Sequence, residues 1–466
     1  MESPGQLANE RMLSMDLMAK VIELGLDGMA HGGEALGRYG GKVIFVPFAL
    51  PGERVRVEVL EEKEHWARAR LLALLSASPD RVEPPCPYFG PGRCGGCQWQ
   101  HIAYPRQAEF KRGIVADQLR RLGRQKDPAV AETIVLADDE GLLDYGYRNQ
   151  AQFAAAGDGR LGYRRASSHE VMPIDRCLLL APPLDDLHAA LDISEGSAAG
   201  PPLADGLSGP APDRPSGGSP REGFVPTLRG VRLRAGLNTG QALVLLESAG
   251  EAVPELVVEQ EVACALLTPR GVQPLIGQPW IEEEVAGQRY RVSATSFFQV
   301  NTAGAAALVD TVDAYLDAEA GDTLLDAYCG VGLFTVPLAG RVREVIGIES
   351  SPSAMEDLAY NARDLGNVTL HEGPVEEVLP ALVAQEQHVD LAVIDPPRAG
   401  AGPAVLGDLA RLGPRRIIYV SCDPATLARD TVTLAGAGYD LREAQPIDLF
   451  PQTYHIETVA WFEKID

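Results

Sequence analysis

The chain has 466 residues, enough for two or three domains and a sizeable core. Its 45% hydrophobic and 23% charged residues exclude a disordered or fibrous chain, and a formal net charge of -24 argues against a uniformly basic nucleic-acid binder. The acid is unevenly placed: residues 1–130 hold 18 Lys or Arg against 16 Asp or Glu, so the whole excess lies beyond that point.

Residues 13–73 alternate apolar and polar positions in short runs separated by the Gly32–Gly33 and Pro51–Gly52 pairs. This period of two with turn dipeptides predicts a small antiparallel β-barrel, or another small all-β module. RVEPPCPYFGPGRCGGCQWQ at 81–100 is too rich in Pro and Gly for regular structure, and a helix is expected from Tyr104 to about Arg121. YRNQAQFAAAG and GRLGYRRASSHEVMPIDRC read as strands, as does VRLRAGLNTGQALVLLES. Between them, 21 of the 32 residues at 191–222 are Gly, Pro, Ser or Ala, which predicts a disordered excursion with too little apolar surface to offset its ordering entropy. Residues 74–290 are therefore read as a central α+β domain carrying that insertion.

From 291 to 466 continuous Val/Ile/Leu strands alternate with amphipathic stretches, the pattern of a doubly wound, mostly parallel Rossmann-like sheet. Two final strands close it, expected as an antiparallel hairpin at its edge. In such sheets ligands sit beyond the carboxyl ends of the strands, and the unusual residues fall there. The first strand runs into Asp326-Ala-Tyr328-Cys-Gly330-Val-Gly332, where glycines permit close backbone approach. The second ends at Glu349, whose carboxylate suits the two hydroxyls of a ribose. This loop lacks the dinucleotide fingerprint; S-adenosylmethionine fits it, with another nucleotide site as the alternative. The fourth strand ends in Asp395-Pro396-Pro397-Arg398 and the fifth in Ser421-Cys422-Asp423-Pro424. Cys422 thus faces a cleft, whereas Cys264 and Cys329 read as buried and structural. Glu457 interrupts an apolar strand, which marks it as a candidate base.

Seven cysteines in so long a chain are no disulfide framework. Cys86, Cys94, Cys97 and Cys177 form a quartet that a structural zinc or a [4Fe–4S] cluster could take, and spacing alone does not separate the two. Arg160, Tyr163, Arg164 and Arg165 form a basic and aromatic patch suited to phosphates and stacked bases, or an ordinary solvated hairpin. No apolar run approaches the roughly 18–20 residues of a membrane span. MESPGQLANERM has neither the basic start nor the apolar stretch of a signal peptide, so a cytoplasmic protein with no membrane contact is expected. No obligate protein partner is evident.

SFFQVN at 296–301, DAYCGVG, DPPR, SCDPATLARD at 421–430 and FPQTYHIE at 450–457, in this order, resemble the RNA uracil-5-methyltransferase family. Within it the chain is most similar to the iron–sulfur branch that acts on 23S ribosomal RNA, and VIFVPFALPGERVRVEV resembles that family's TRAM barrel. The resemblance runs from about residue 15 to the C-terminus and misses mainly 191–222. It implies methyl transfer from S-adenosylmethionine to carbon 5 of a uridine in 23S ribosomal RNA, through an adduct between Cys422 and uracil carbon 6. It also implies Glu457 as general base, with Gln299, Tyr328, Glu349 and Asp395 around cofactor and target base and Gly330 and Gly332 in the cofactor loop. CPYF, CGGCQWQH and Arg176-Cys177 resemble the family's cluster-binding pattern and favour [4Fe–4S] over zinc, although the first gap is longer than usual. Asp423 stands where asparagine is commoner, and its charge is expected to raise the pKa of the neighbouring thiol. Transfer RNA is the alternative substrate, and a noncatalytic iron–sulfur RNA-binding protein is a second class that the intact Cys422, Glu457 and Gln299 oppose. A DNA cytosine methyltransferase would use a Pro-Cys nucleophile motif nearer the fourth strand, and none is present there.

Overall fold

The computed structural model describes residues 20–138, 141–156, 160–194, 228–250, 253, 255–257 and 260–465. The excursion expected at 191–222 lies, from residue 195 on, outside the described residues, as do residues 13–19 of the expected barrel.

Six strands form the N-terminal sheet: β1 (Val21–Gly25), β2 (Gly28–Met29), β3 (Ala35–Tyr39), β4 (Lys42–Val46), β5 (Arg54–Glu62) and β6 (Trp66–Ser76), ordered β1-β5-β6-β4-β3-β2. Alternate residues turn inward, so Ile22, Leu24, Ala35, Ile44, Val46, Val55, Val57, Ala67 and Ala69 fill one small core. The sheet is not wholly antiparallel as expected, because β4 and β6 pair in parallel. The intervening β5 leaves its turn at Pro51–Gly52 and brings β6 back alongside β4.

Helix α1 (Tyr104–Arg121) buries Tyr104, Gln107, Phe110, Lys111, Ile114, Val115, Gln118 and Leu119, one stripe at helical spacing. Although it lies within the expected central domain, Phe110, Ile114, Val115 and Leu119 share a core with the C-terminal sheet. The central sheet has β7 (Gln150–Ala155), β8 (Leu161–Arg164), β9 (Val171–Pro173), β10 (Leu228–Ala235), β11 (Ala242–Ser248), β12 (Ala263–Thr268) and β13 (Gly271–Ile276), in the order β9-β8-β7-β10-β11-β12-β13. Helix α2 (Pro182–Ala190) covers it through Leu184 and Leu187. A hairpin, β14 (Trp280–Val285) and β15 (Gln288–Ser293), then leads to helix α3 (Thr302–Leu316), capped by Asn301 on the Gly304 N–H at 3.0 Å.

The C-terminal unit contains β16 (Thr323–Ala327), α4 (Thr335–Ala339), β17 (Glu344–Glu349), α5 (Pro352–Asn361), β18 (Val368–Glu372), α6 (Val375–Ala384), β19 (Leu391–Ile394), α7 (Gly402–Leu412), β20 (Arg416–Ser421), α8 (Pro424–Gly436), β21 (Tyr439–Ile447) and β22 (Glu457–Lys464). The sheet order is β18-β17-β16-β19-β20-β22-β21, parallel except for β22, which inserts antiparallel between β20 and β21. That reversal brings the start of β22 to the end of β20.

Candidate active site

The cofactor cradle begins where β16 ends. Tyr328 has φ +64° and Gly330 and Gly332 have positive φ, so the chain makes a tight left-handed reversal. A Cβ on Gly332 would lie 2.5 Å from Leu358 Cδ1. Glu349, at the end of β17, accepts from the Gly330 N–H at 2.9 Å and from the Ser351 N–H at 2.6 Å, fixing its carboxylate beside the loop. Asp326 is fully buried; its Oδ2 accepts from the Thr335 hydroxyl at 2.6 Å while Oδ1 has no partner, and burial raises its pKa to about 7. The Tyr328 hydroxyl is likewise buried and unpartnered. Two orphaned polar atoms around an open glycine loop fit a ligand rich in donors and acceptors, as a nucleoside is. Gln299 is buried, and its carbonyl accepts from Asn149 Nδ2 at 3.0 Å, which ties the SFFQVN segment to the central sheet.

Next along the edge lies the thiol pocket. Ser421 pairs with Thr458, so continuing the antiparallel register by one residue sets Cys422 opposite Glu457. A cavity of about 180 Å³ opens on Cys422 and is lined also by Arg398, Asp423, Tyr454, His455 and, from the barrel, His31. Burial raises the Cys422 thiol to about 11; the Glu457 and Asp395 carboxylates add to this and the Arg398 guanidinium opposes it. Burial, then the charge of Asp395, holds Glu457 well above the usual carboxylate range, and Asp395 is itself raised by burial and by Asp326. Asp423, expected to raise the thiol, is not among the leading causes of that rise. Its Oδ1 caps α8 by accepting from the Ala425 and Thr426 N–H groups at 2.9 and 3.0 Å, and its Oδ2 faces His31 Nε2 at 3.5 Å. Against the cost of burial, the His31 contact and these two amides hold Asp423 down at about 2. Its charge is spent on the helix terminus and the imidazole.

The four N-terminal cysteines meet in a second cavity, of about 100 Å³, with Arg148 and Tyr163 also in its wall. Cys94, Cys97 and Cys177 are raised chiefly by burial, each thiol feels at least one other, and Arg148 acts against the rise in all three. Among the described residues no three His, Cys, Asp or Glu are arranged to hold one metal ion.

Residues 275–465 match the tRNA (Uracil-5-)-methyltransferase family model and residues 19–72 the TRAM domain model. An uncharacterized RNA methyltransferase of Streptomyces avermitilis is 38% identical, the match covering 96% of this chain and 99% of that one. Another, of Halalkalibacterium halodurans, is 34% identical over 95% and 97% of the two chains. Among solved structures, the Pyrococcus abyssi tRNA (uracil-54, C5)-methyltransferase in complex with S-adenosyl-L-homocysteine has a TM-score of 0.69 at 24% identity, covering 95% of this chain and all of that one. The chain belongs to the RNA uracil-5-methyltransferase family. It is an S-adenosylmethionine-dependent RNA methyltransferase with an N-terminal TRAM domain.

A groove of about 1000 Å³ runs from His31, Arg68 and Arg70 on the barrel, past Gln98 of the cysteine loop, to Tyr163, Arg164 and Arg165. Arg160, exposed on the same hairpin, does not line it. Tyr163 already stacks on Phe153, ring centroids 4.9 Å apart, so one of its faces is taken by protein. Arg165 donates to the Gly92 carbonyl at 3.0 Å and pairs with Glu170, stitching the hairpin to the cysteine loop. Asp326, Arg398, Tyr454, His455 and His31 were not singled out as site residues from the sequence. The first four lie inside or beside the recognised motifs, whereas His31 carries no local signal. Among the described residues no helix is long and apolar enough to cross a membrane.

Proposed function

We propose that this enzyme methylates carbon 5 of a specific uridine in 23S ribosomal RNA through a covalent adduct on Cys422. The observation that carries the mechanism is that Cys422, in the wall of one cavity with Arg398, stands at the register position opposite the buried Glu457. Carbon 5 of uracil is a poor nucleophile. Addition of the Cys422 thiolate to carbon 6 makes it an enolate carbon that can take a methyl group. Arg398 favours the thiolate and can offset the charge that passes to the ring. The donor, held by the Asp326–Gly332 loop and Glu349, supplies the methyl group. Glu457 then removes the carbon 5 proton, and the electrons of that C–H bond expel the Cys422 sulfur. A carboxylate buried with a raised pKa is a stronger base than a solvated one. Attack on carbon 6 requires the ring face, so the base must leave its stack.

Gln299 and Asp395 flank the target base and cofactor in this reading. Cys86, Cys94, Cys97 and Cys177 would hold a [4Fe–4S] cluster that staples the 81–100 loop to the segment before Cys177. Four thiols lining one cavity with a guanidinium in its wall suit an anionic metal–thiolate centre, and the resemblance of CPYF, CGGCQWQH and Arg176-Cys177 to the cluster-binding pattern favours [4Fe–4S] over zinc. The groove past Arg164 and Arg165 would carry the RNA strand, with Arg160 and Tyr163 at its margin.

The name of the matching family model favours transfer RNA as a second substrate reading, and the cysteine quartet favours ribosomal RNA. Mapping 5-methyluridine in both RNAs from cells lacking the gene decides: loss of one 23S site supports the proposal, and loss in transfer RNA alone replaces it.

A further inference from the structure

The loop at residues 30–33 of the barrel reaches across the molecule to the thiol pocket. The Gly33 N–H donates to the Ala30 carbonyl at 3.0 Å, and the Gly33 carbonyl accepts from Trp99 Nε1 at 3.0 Å. Gly33 has φ +83°, and a Cβ there would lie 2.6 Å from Tyr454 Cβ, so the loop is seated tightly on the turn before Glu457. His31, at its tip, lines both the 180 Å³ thiol cavity and the 1000 Å³ groove. Its Nε2 lies 3.5 Å from Asp423 Oδ2, and both side chains are about one-third exposed, 32% and 30%.

The two oxygens of Asp423 divide two tasks. Oδ1 alone serves the α8 cap, and an asparagine would do that equally well. Oδ2 faces His31 Nε2, and the carboxylate charge is felt by His455 as well. The charge on Oδ2 is therefore surplus to the cap and available to the barrel's histidine.

We propose that His31 is a positioning residue for methyl transfer: paired with Asp423, it latches the barrel to the cap adjoining Cys422 and closes one wall of the pocket that receives the target uracil. The barrel thereby completes the catalytic pocket in addition to contacting RNA. This rests on Cys422 being the nucleophile. Removing the His31 side chain leaves the Gly33–Trp99 bond and the packing on Tyr454 in place, so what is lost is the pair with Asp423 and that part of the pocket wall.

The test uses full-length protein and a substrate RNA carrying 5-fluorouridine at the target, which cannot lose a carbon 5 proton and so holds the adduct. The adduct rate is read beside steady-state kcat and KM for normal RNA. His31→Ala and Asp423→Asn are each expected to lower the adduct rate and kcat by about tenfold, with the double variant no slower than the slower single one. KM should stay within about twofold. His31→Gln, which can still donate to Asp423, should recover most of the rate with an unchanged melting temperature. Multiplying losses in the double variant, or a raised KM with unchanged kcat, would overturn the latch and make His31 an ordinary RNA contact. Wild-type protein that forms no adduct at Cys422 would instead remove the nucleophile reading itself, and the latch with it.

Discussion

Two cavities in this protein are built around partly buried thiols, and their surroundings give those thiols opposite prospects. In the first, Cys86, Cys94, Cys97 and Cys177 face one another across a small space, with Arg148 against them and no carboxylate in the wall. In the second, Cys422 is the one thiol, with the Glu457 and Asp395 carboxylates and the Arg398 guanidinium acting on it, in a cleft that the barrel loop also lines. Burial raises thiols in both. A thiol group that is surrounded by other thiols can be relieved together by binding metal, whereas a thiol between an acid and a base can be relieved by bonding to carbon.

The comparison breaks most sharply at Cys422. Replacing it with alanine should lower kcat by about 10³-fold or more, with RNA binding kept, as read by single-turnover methyl transfer and filter binding. Cys97→Ala should act through stability instead: metal content falls, and the melting temperature drops because metal binding is coupled to folding. Anaerobic purification followed by iron, sulfide and zinc analysis checks this, and zinc without sulfide would replace the cluster by a zinc site.

Titration sharpens the contrast further. Cys422 and Glu457 both have raised pKa values and both must ionise to act, so kcat should climb as pH rises toward the Cys422 value of about 11. Stability has the opposite slope. Asp326 binds its proton up to about pH 7 in the fold and gives it up near pH 4 when unfolded, so the folded state holds more protons between these limits. Its contribution is therefore full below about pH 4 and is lost as pH rises toward 7, and Asp326→Asn should flatten that part of a melting-temperature profile. The smallest effect concerns salt. With acid concentrated after residue 130, affinity for RNA should fall only modestly with ionic strength, the slope of log K on log salt being about -2 to -3.

Much of this was legible in the sequence because it is local. The period of two in KVIFV and RVRVEV, the stripe of α1, and the Val/Ile/Leu strands each followed by a helix all carry their geometry in their own residues. The motifs at 326–332, 395–398 and 421–424 fall at strand ends for the same reason. What was not legible depends on distant partners. The parallel pairing of β4 with β6 follows from how the barrel curls, and the allegiance of α1 to the C-terminal core follows from packing on α8. The charge on Asp423 looked like a burden on Cys422 until the fold supplied His31 from the opposite end of the chain. Tyr163 looked like a stacking platform, but Phe153 already occupies one face.

The most direct test of the two-thiol comparison is to incubate the enzyme and its Glu457→Gln and Cys422→Ala variants with unmodified RNA and methyl-labelled S-adenosylmethionine, then separate the products by denaturing electrophoresis. With Cys422 as nucleophile and Glu457 as the base that releases it, label should migrate with protein in the Glu457→Gln variant. It should migrate with free RNA in the wild type and be absent in Cys422→Ala. Rapid release of methylated RNA by Glu457→Gln would remove Glu457 as base, and methyl transfer by Cys422→Ala would contradict the covalent mechanism outright.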